Sequence, residues 1–233
     1  MQLRLIRVLL IIGLVLVGLL VAADRIAVGY AEDKMAEKVR THRAAIDGTE
    51  VDISGFPFLT QALGHRLDRV DVHLKGVEAT ADGRRMRIAR LDSRFHDVKL
   101  NGDYTGGTAE RADGSALVTY EDLTKASTSG ATVTYGGSPG KVKVTATVDL
   151  LGRSITRSVI STITLVDGST VRVRADEVPG GGIPGLEELV RSETDFDRRL
   201  DGGLPAGLKL SALTSDQEGV HLTVSGSKVD LAG

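Results

Sequence analysis

Between residues 141 and 174 apolar and polar side chains alternate over long runs. Val142, Val144, Ala146, Val148 and Leu150 alternate with Lys141, Lys143, Thr145, Thr147 and Asp149. Ile155, Val159, Ile163 and Leu165 share a face with Arg157 and Ser161, and Val171 and Val173 face away from Arg172 and Arg174. A period of two belongs to strands with one face turned to a core. Residues 154–166 would extend over about 40 Å at roughly 3.3 Å per residue, well beyond the usual strand of about 5 or 6 residues. Antiparallel strands of that length twist and wrap. The expected fold is α+β and mostly β: a long curved antiparallel sheet, a cup or half-barrel, wrapping two or three helices and preceded by an N-terminal hydrophobic helix.

Turn signals divide the strands. Asp-Gly pairs at 47–48, 82–83, 113–114, 167–168 and 201–202, with Asn101-Gly102, favour tight hairpins, because both central positions tolerate positive φ. Met86 and Ile88 alternate with arginines, and residues 207–226 read as a closing hairpin turning near Asp216 to Gly219. The region around residues 51–75 carries two further alternating runs, Val51 and Ile53, then Val70, Val72 and Leu74. Between them lies Gly55-Phe56-Pro57-Phe58-Leu59, with two of the four phenylalanines in the chain. Proline has no N–H for a sheet ladder, so this segment reads as a stiff connection. It either plugs one end of the core or forms an apolar lip at the mouth of a cavity.

Three helices are expected outside the sheet. Residues 24–41 place Val28, Ala31, Met35 and Val39 on one stripe. Tyr120 to Ala126 forms a short helix, and Leu186 to Leu200 a longer one with Leu186, Leu189, Val190, Phe196 and Leu200 as its apolar residues. The segment Val178 to Gly185 before it is a breaker rich in glycine and proline.

The N-terminus bears on compartment. Arg4 and Arg7 precede an apolar run of 16 residues, Val8 to Ala23. A basic start, an apolar middle and small residues at Ala22 and Ala23 make an export signal. Extended by Leu3, Leu5 and Ile6, the run approaches the ~20 residues of a membrane span, and it reads as an uncleaved signal anchor, with a cleaved signal as the alternative. The positive-inside rule puts the rest outside the cytoplasm. The chain thus divides into an anchor or signal, 1–23, and one exported domain, 24–233.

Composition removes several chemistries. With no cysteine there is no disulfide, thiolate metal site or cysteine nucleophile. A formal charge of −2 argues against a nucleic-acid partner. Apolar residues are 41% but aromatics only 3%, so the core is aliphatic. No histidine stands in a zinc pattern and no acidic run makes a calcium loop, so neither metal nor cofactor is expected. Gly136-Gly137-Ser138-Pro139-Gly140 fits the pattern of a serine nucleophile elbow, but a strand follows where that chemistry needs a helix, and Pro139 lacks the N–H that would serve an oxyanion. Gly180, Gly182 and Gly185 fit a dinucleotide pattern without the parallel βαβ unit it requires. Arg84, Arg85, Arg87, Arg90 and Arg94 fall within 11 residues. They read as a solvated face or as a contact for phosphate, which arginine forks suit.

The N-terminal apolar segment, the helix ending in Glu37-Lys38-Val39 and the run Ile53 to Gln61 together resemble the LmeA family of actinobacterial cell-envelope proteins. So do Val70 to Leu74, Val118 to Leu123 and Leu204 to Leu210. The resemblance implies a tubular or cup-shaped lipid-binding domain, no catalytic residue, and a phospholipid partner of phosphatidylinositol type or another anionic lipid, at a membrane. On that reading Phe56, Pro57, Phe58 and Leu59 form the lip. Val28, Met35, Leu186 and Leu189 line the acyl chains, and Arg85 and Arg87 meet head group or membrane. Competing readings are a scaffolding envelope protein with a filled core and an envelope hydrolase or transferase using Ser138 or a histidine. Protein partners stay open.

Overall fold

The computed structural model describes residues 2–42, 46–81, 84–127, 130–150, 153–177, 186–199, 204 and 206–231. It is mostly β, with two antiparallel sheets that do not close into a barrel. The first has six strands in the order β1 (Gly48–Ser54), β2 (Arg66–Ala81), β3 (Arg84–Leu100), β4 (Gly107–Thr119), β11 (Gly219–Leu231) and β10 (Leu208–Ser215). The second has five: β5 (Thr132–Tyr135), β6 (Lys141–Leu150), β7 (Arg153–Val166), β8 (Thr170–Glu177) and β9 (Phe196–Arg199). The helices are α1 (Gln2–His42), α2 (Phe58–Leu63), α3 (Tyr120–Ala126) and α4 (Leu186–Thr194).

The apolar N-terminal run and the expected helix 24–41 are one uninterrupted helix, α1, of 41 residues. At about 1.5 Å per residue it is about 60 Å long. Leu10 to Ala23 stand clear of the rest of the protein, and from Asp24 onward the helix packs on the first sheet. It also seals an edge. Glu32 Oε1 accepts the Ile53 N–H at 2.7 Å, and Arg40 Nη2 donates to the Thr49 carbonyl at 3.1 Å. These bonds satisfy edge groups of β1 that would otherwise template another strand. Thr124 of α3 does the same for β5, its hydroxyl accepting the Val133 N–H at 2.9 Å.

A crease runs across the first sheet. Asp68, Asp97, Glu110 and Lys228 lie in one register row over β2, β3, β4 and β11. Asp97 and Lys228 have positive φ, 51° and 52°. Inward-facing residues flanking this row are three apart instead of two: Leu67 and Val70, Val98 and Phe95, Ala109 and Ala112. The inward face therefore survives the kink. On the α1 side of the crease Leu67, Val98, Ala109 and Val229 are at most 2% exposed.

The two sheets meet along β10. The Leu210 N–H donates to the Gly168 carbonyl at 3.1 Å, and Ser215 Oγ donates to the Lys141 carbonyl at 2.8 Å. Their inner faces join in a second core, where Val220 packs with Val142, Val144, Val159 and Ile163.

Four expectations need correction. The Phe56–Leu59 connection is partly helical, since α2 starts at Phe58 directly after Pro57, a residue preset for a helix start. Asp113-Gly114 is no turn; it lies inside β4, where a Cβ on Gly114 would sit 2.8 Å from the Asp92 carbonyl. The glycine serves close strand approach. The helix expected to reach Leu200 stops at Thr194, because Asp195 accepts the Ala175 N–H at 2.8 Å and Phe196 enters β9. Asp47-Gly48 leads straight into β1. The pairs at 82–83 and 201–202 and the breaker 178–185 lie outside the described residues, while Asn101-Gly102, Asp167-Gly168 and the turn near Asp216 join strands as expected.

Candidate functional site

Register defines what the first sheet shows inward. One row runs Ile53, Val70, Phe95, Ala112, Gly226, Leu208; the next Val51, Val72, Ser93, Gly114, Val224, Leu210; the next Thr49, Leu74, Leu91, Ala116, Leu222, Leu213. Apart from Ser93 and Thr49 these positions are apolar or glycine. The opposite face is charged in the same span. Asp71 lies 2.8 Å from both Arg69 and Arg94, and His73 lies 2.7 Å from Asp92. A shallow groove on that outer side is lined by Glu50, Asp52, His73, Leu74, Lys75, Arg90 and Asp92.

The inner rows are not evenly covered. Near α1 and α2 they are sealed: Val28, Val51, Ile53, Phe58 and Val70 are 6–7% exposed. In the middle they are half-buried, at Val72, Leu91, Phe95, Ala116, Leu222 and Val224. Small residues floor this zone, with Ser93, Gly114 and Ala116 adjoining. The result is a half-open apolar strip across the sheet, with Val72 and Phe95 packed against the first core and Leu222 against the second. Its half-buried residues lie on four strands, β2, β3, β4 and β11, which at about 4.8 Å between neighbours span about 14 Å.

The anchor end of the site is built from the Phe56 segment. Asp24, 2% exposed, accepts the Leu59 N–H at 2.8 Å through Oδ1 and the Arg25 guanidinium at 2.8 Å through Oδ2. That carboxylate satisfies a free N–H in the first turn of α2. Arg25 in turn lies over the Phe56 ring, its guanidinium carbon 5.3 Å from the centroid, a cation–π geometry. Phe56 is 61% exposed and Leu63 78%, beside the point where α1 leaves the domain.

The expected site residues fall into three groups. Val28, Met35, Phe58 and Leu59 come together in one cluster. Phe58 turns inward, so the outward part of the lip is Phe56 and Pro57. Arg87 is eight residues along β3 from Phe95, about 26 Å at roughly 3.3 Å per residue, so lip and arginine sit at opposite ends of the sheet. It pairs with Asp47 over Gly76, where a Cβ would lie 2.8 Å from its Nη2. The side chains of Arg85, Leu186 and Leu189 lie outside the described part. Missed from sequence were the strip residues Leu91, Ala116, Leu222 and Val224. Their alternation was visible, but only register shows that they form common rows. Ser138 occupies the β5–β6 turn, its carbonyl accepting the Lys141 N–H at 3.1 Å, and the strand β6 follows it. Among the described residues no cluster of acidic or histidine side chains could hold a metal ion.

A helix-backed antiparallel sheet, charged outside and apolar but half-open inside, defines a protein suited to hold a hydrocarbon ligand. The chain belongs to the LmeA-like phospholipid-binding family, whose profile matches residues 22–225. That span begins at the last residues of the exposed apolar stretch and takes in both sheets. No curated protein and no solved structure matches the chain.

Proposed function

We propose that this protein works in a bacterial cell envelope, held by α1 in the cytoplasmic membrane with residues 24–233 as one domain outside the cytoplasm. There it binds a phospholipid and moves it from or to the bilayer without catalysing a reaction. The single observation that carries this is the half-open apolar strip, because burying an acyl chain there stabilises the complex by about 25 cal/mol per Å². Membership of a phospholipid-binding family supports the class of ligand.

The anchor geometry supports the site of action. If Leu10 to Ala23 lie in the bilayer, Asp24 and Arg25 stand at its surface and Phe56 and Leu63 face it. Amphipathic and aromatic side chains favour that depth. The test is extraction of the detergent-purified full chain, followed by mass spectrometry. Phospholipid in near-stoichiometric amount is expected. A chain free of lipid that also takes none from anionic vesicles contradicts the reading and leaves the scaffold alternative.

A further inference from the structure

We infer that Arg40 and Thr49 form the phosphate-binding end of the lipid site, so that the bound lipid is anionic or zwitterionic with its phosphate at the β1 edge. This deepens the lipid-binding reading and rests on it. Thr49 begins the row Thr49, Leu74, Leu91, Ala116, Leu222, Leu213, separated from the half-open strip by the buried Leu74. It is 8% exposed, and its hydroxyl has no hydrogen-bond partner. A buried hydroxyl without a partner is costly, and its position on the apolar face marks a place for a polar ligand atom.

A cation shares the position. Arg40, in the last turn of α1, donates through Nη2 to the Thr49 carbonyl. Among the described residues no carboxylate pairs with it, as with Arg66, Arg90 and Arg157, whereas Arg25, Arg69, Arg87, Arg94, Arg111, Arg172, Arg174 and Arg191 each have one; of the four, Arg40 alone is bonded to the Thr49 backbone. Its remaining donors can take a phosphate oxygen, and the Thr49 O–H can donate to a second oxygen of the same group. A second arginine stands near: Arg87 pairs over Gly76 with Asp47, which precedes Thr49 by two residues. Charge-assisted bonds from arginine forks are the strong way to hold phosphate.

The placement has a mechanical consequence. Arg40 is sixteen residues beyond Asp24 on the same helix, about 24 Å at roughly 1.5 Å per residue. A lipid with its phosphate there has left the bilayer entirely, with its chains on the strip.

The test compares phosphatidylinositol with uncharged diacylglycerol, each radiolabelled and offered to the full chain in mixed micelles, with glycerol 3-phosphate as competitor. The wild type should retain phosphatidylinositol at least about tenfold better than diacylglycerol. Arg40→Gln should lose most of that preference while still retaining diacylglycerol, and Arg40→Lys should keep part of it. Thr49→Val should reduce the preference without lowering Tm, since it removes a hydroxyl that has no partner in the empty site. Glycerol 3-phosphate should compete weakly, because chains supply most of the affinity; competition as strong as that of the lipid overturns the assignment to a lipid phosphate. An unchanged preference in Arg40→Gln overturns the role of Arg40 and leaves lipid binding standing. A wild type that retains neither lipid overturns the reading beneath it.

Discussion

The two sheets bury their inner faces to different degrees. In the five-stranded sheet Val142, Val144, Ala146, Val159, Ile163, Val173 and Ala175 are all at most 6% exposed, and Val133, Ile155, Leu165 and Val171 at its margins are half-buried. In the middle of the six-stranded sheet Val72, Leu91, Phe95, Ala116, Leu222 and Val224 stay half-open. Both faces are apolar and arise from the same period-two pattern, so composition does not separate them. Coverage does. The second sheet packs against the ends of β10 and β11 and against α3 and α4, whereas α1 and α2 cover only one end of the first. The buried centre of the second sheet is closed by its neighbours, whereas the middle of the first is half-buried.

Truncations should break or sharpen that contrast. Ile163→Ala, in the sealed core, should cost about 2–5 kcal/mol because the cavity cannot collapse fully. Leu222→Ala on the strip should cost clearly less in urea unfolding of lipid-free protein, yet lower the bound phospholipid. Equal losses of stability at the two positions would mean that the strip is as closed as the core. The next largest effect concerns the anchored end. Asp24→Ala removes a buried acceptor from the first turn of α2 and should cost about 1–3 kcal/mol, read by the same unfolding curve. It should also raise hydrogen exchange at Leu59 while leaving β6 and β7 unchanged.

At the crease, Lys228 holds φ 52°, a left-handed conformation that a β-carbon disfavours. Lys228→Gly should therefore stabilise by roughly 0.5–1 kcal/mol. A loss of stability there would show that the lysine side chain matters more than its backbone.

The smallest effect lies on the charged outer face. The hydrogen bond that His73 donates to the Asp92 carboxylate raises the His73 pKa above its usual value, against a smaller opposing contribution from burial. A folded pKa above the unfolded one means that the contribution is fully present below the unfolded value, near 6.5, and fades as pH rises through the folded value. His73→Gln should cost under about 1 kcal/mol at pH 5.5, as a half-exposed pair should, and close to nothing at pH 8.5. A cost that grows with pH would contradict the pairing.

Much of this was legible in the sequence. Alternation at 141–150 and 154–166 gave long strands, because each face meets one environment throughout. The placement of Arg157 and Ser161 on the inward face of β7 was also visible, as was the apolar N-terminal helix. Gly114 misled because glycine serves both turns and close strand approach, and only the neighbouring strands decide between them. Phe196 misled because helical spacing at Leu186 and Leu189 continues by chance into β9. Arg40 and Thr49 carried no local signal: an unpartnered hydroxyl and an unpaired guanidinium are properties of three-dimensional surroundings. The half-open strip was hidden for the same reason, since residues from β2, β3, β4 and β11 share a row only through register.

The central claim is that acyl chains lie on the middle of the six-stranded sheet. A phospholipid carrying a photoreactive diazirine near the end of one chain, loaded onto the full protein and irradiated, reports their place directly. Adducts mapped by mass spectrometry should fall in residues 91–95, 112–116 and 220–224. Adducts confined to residues 142–146 and 159–175, or none above an unloaded control, would contradict the account.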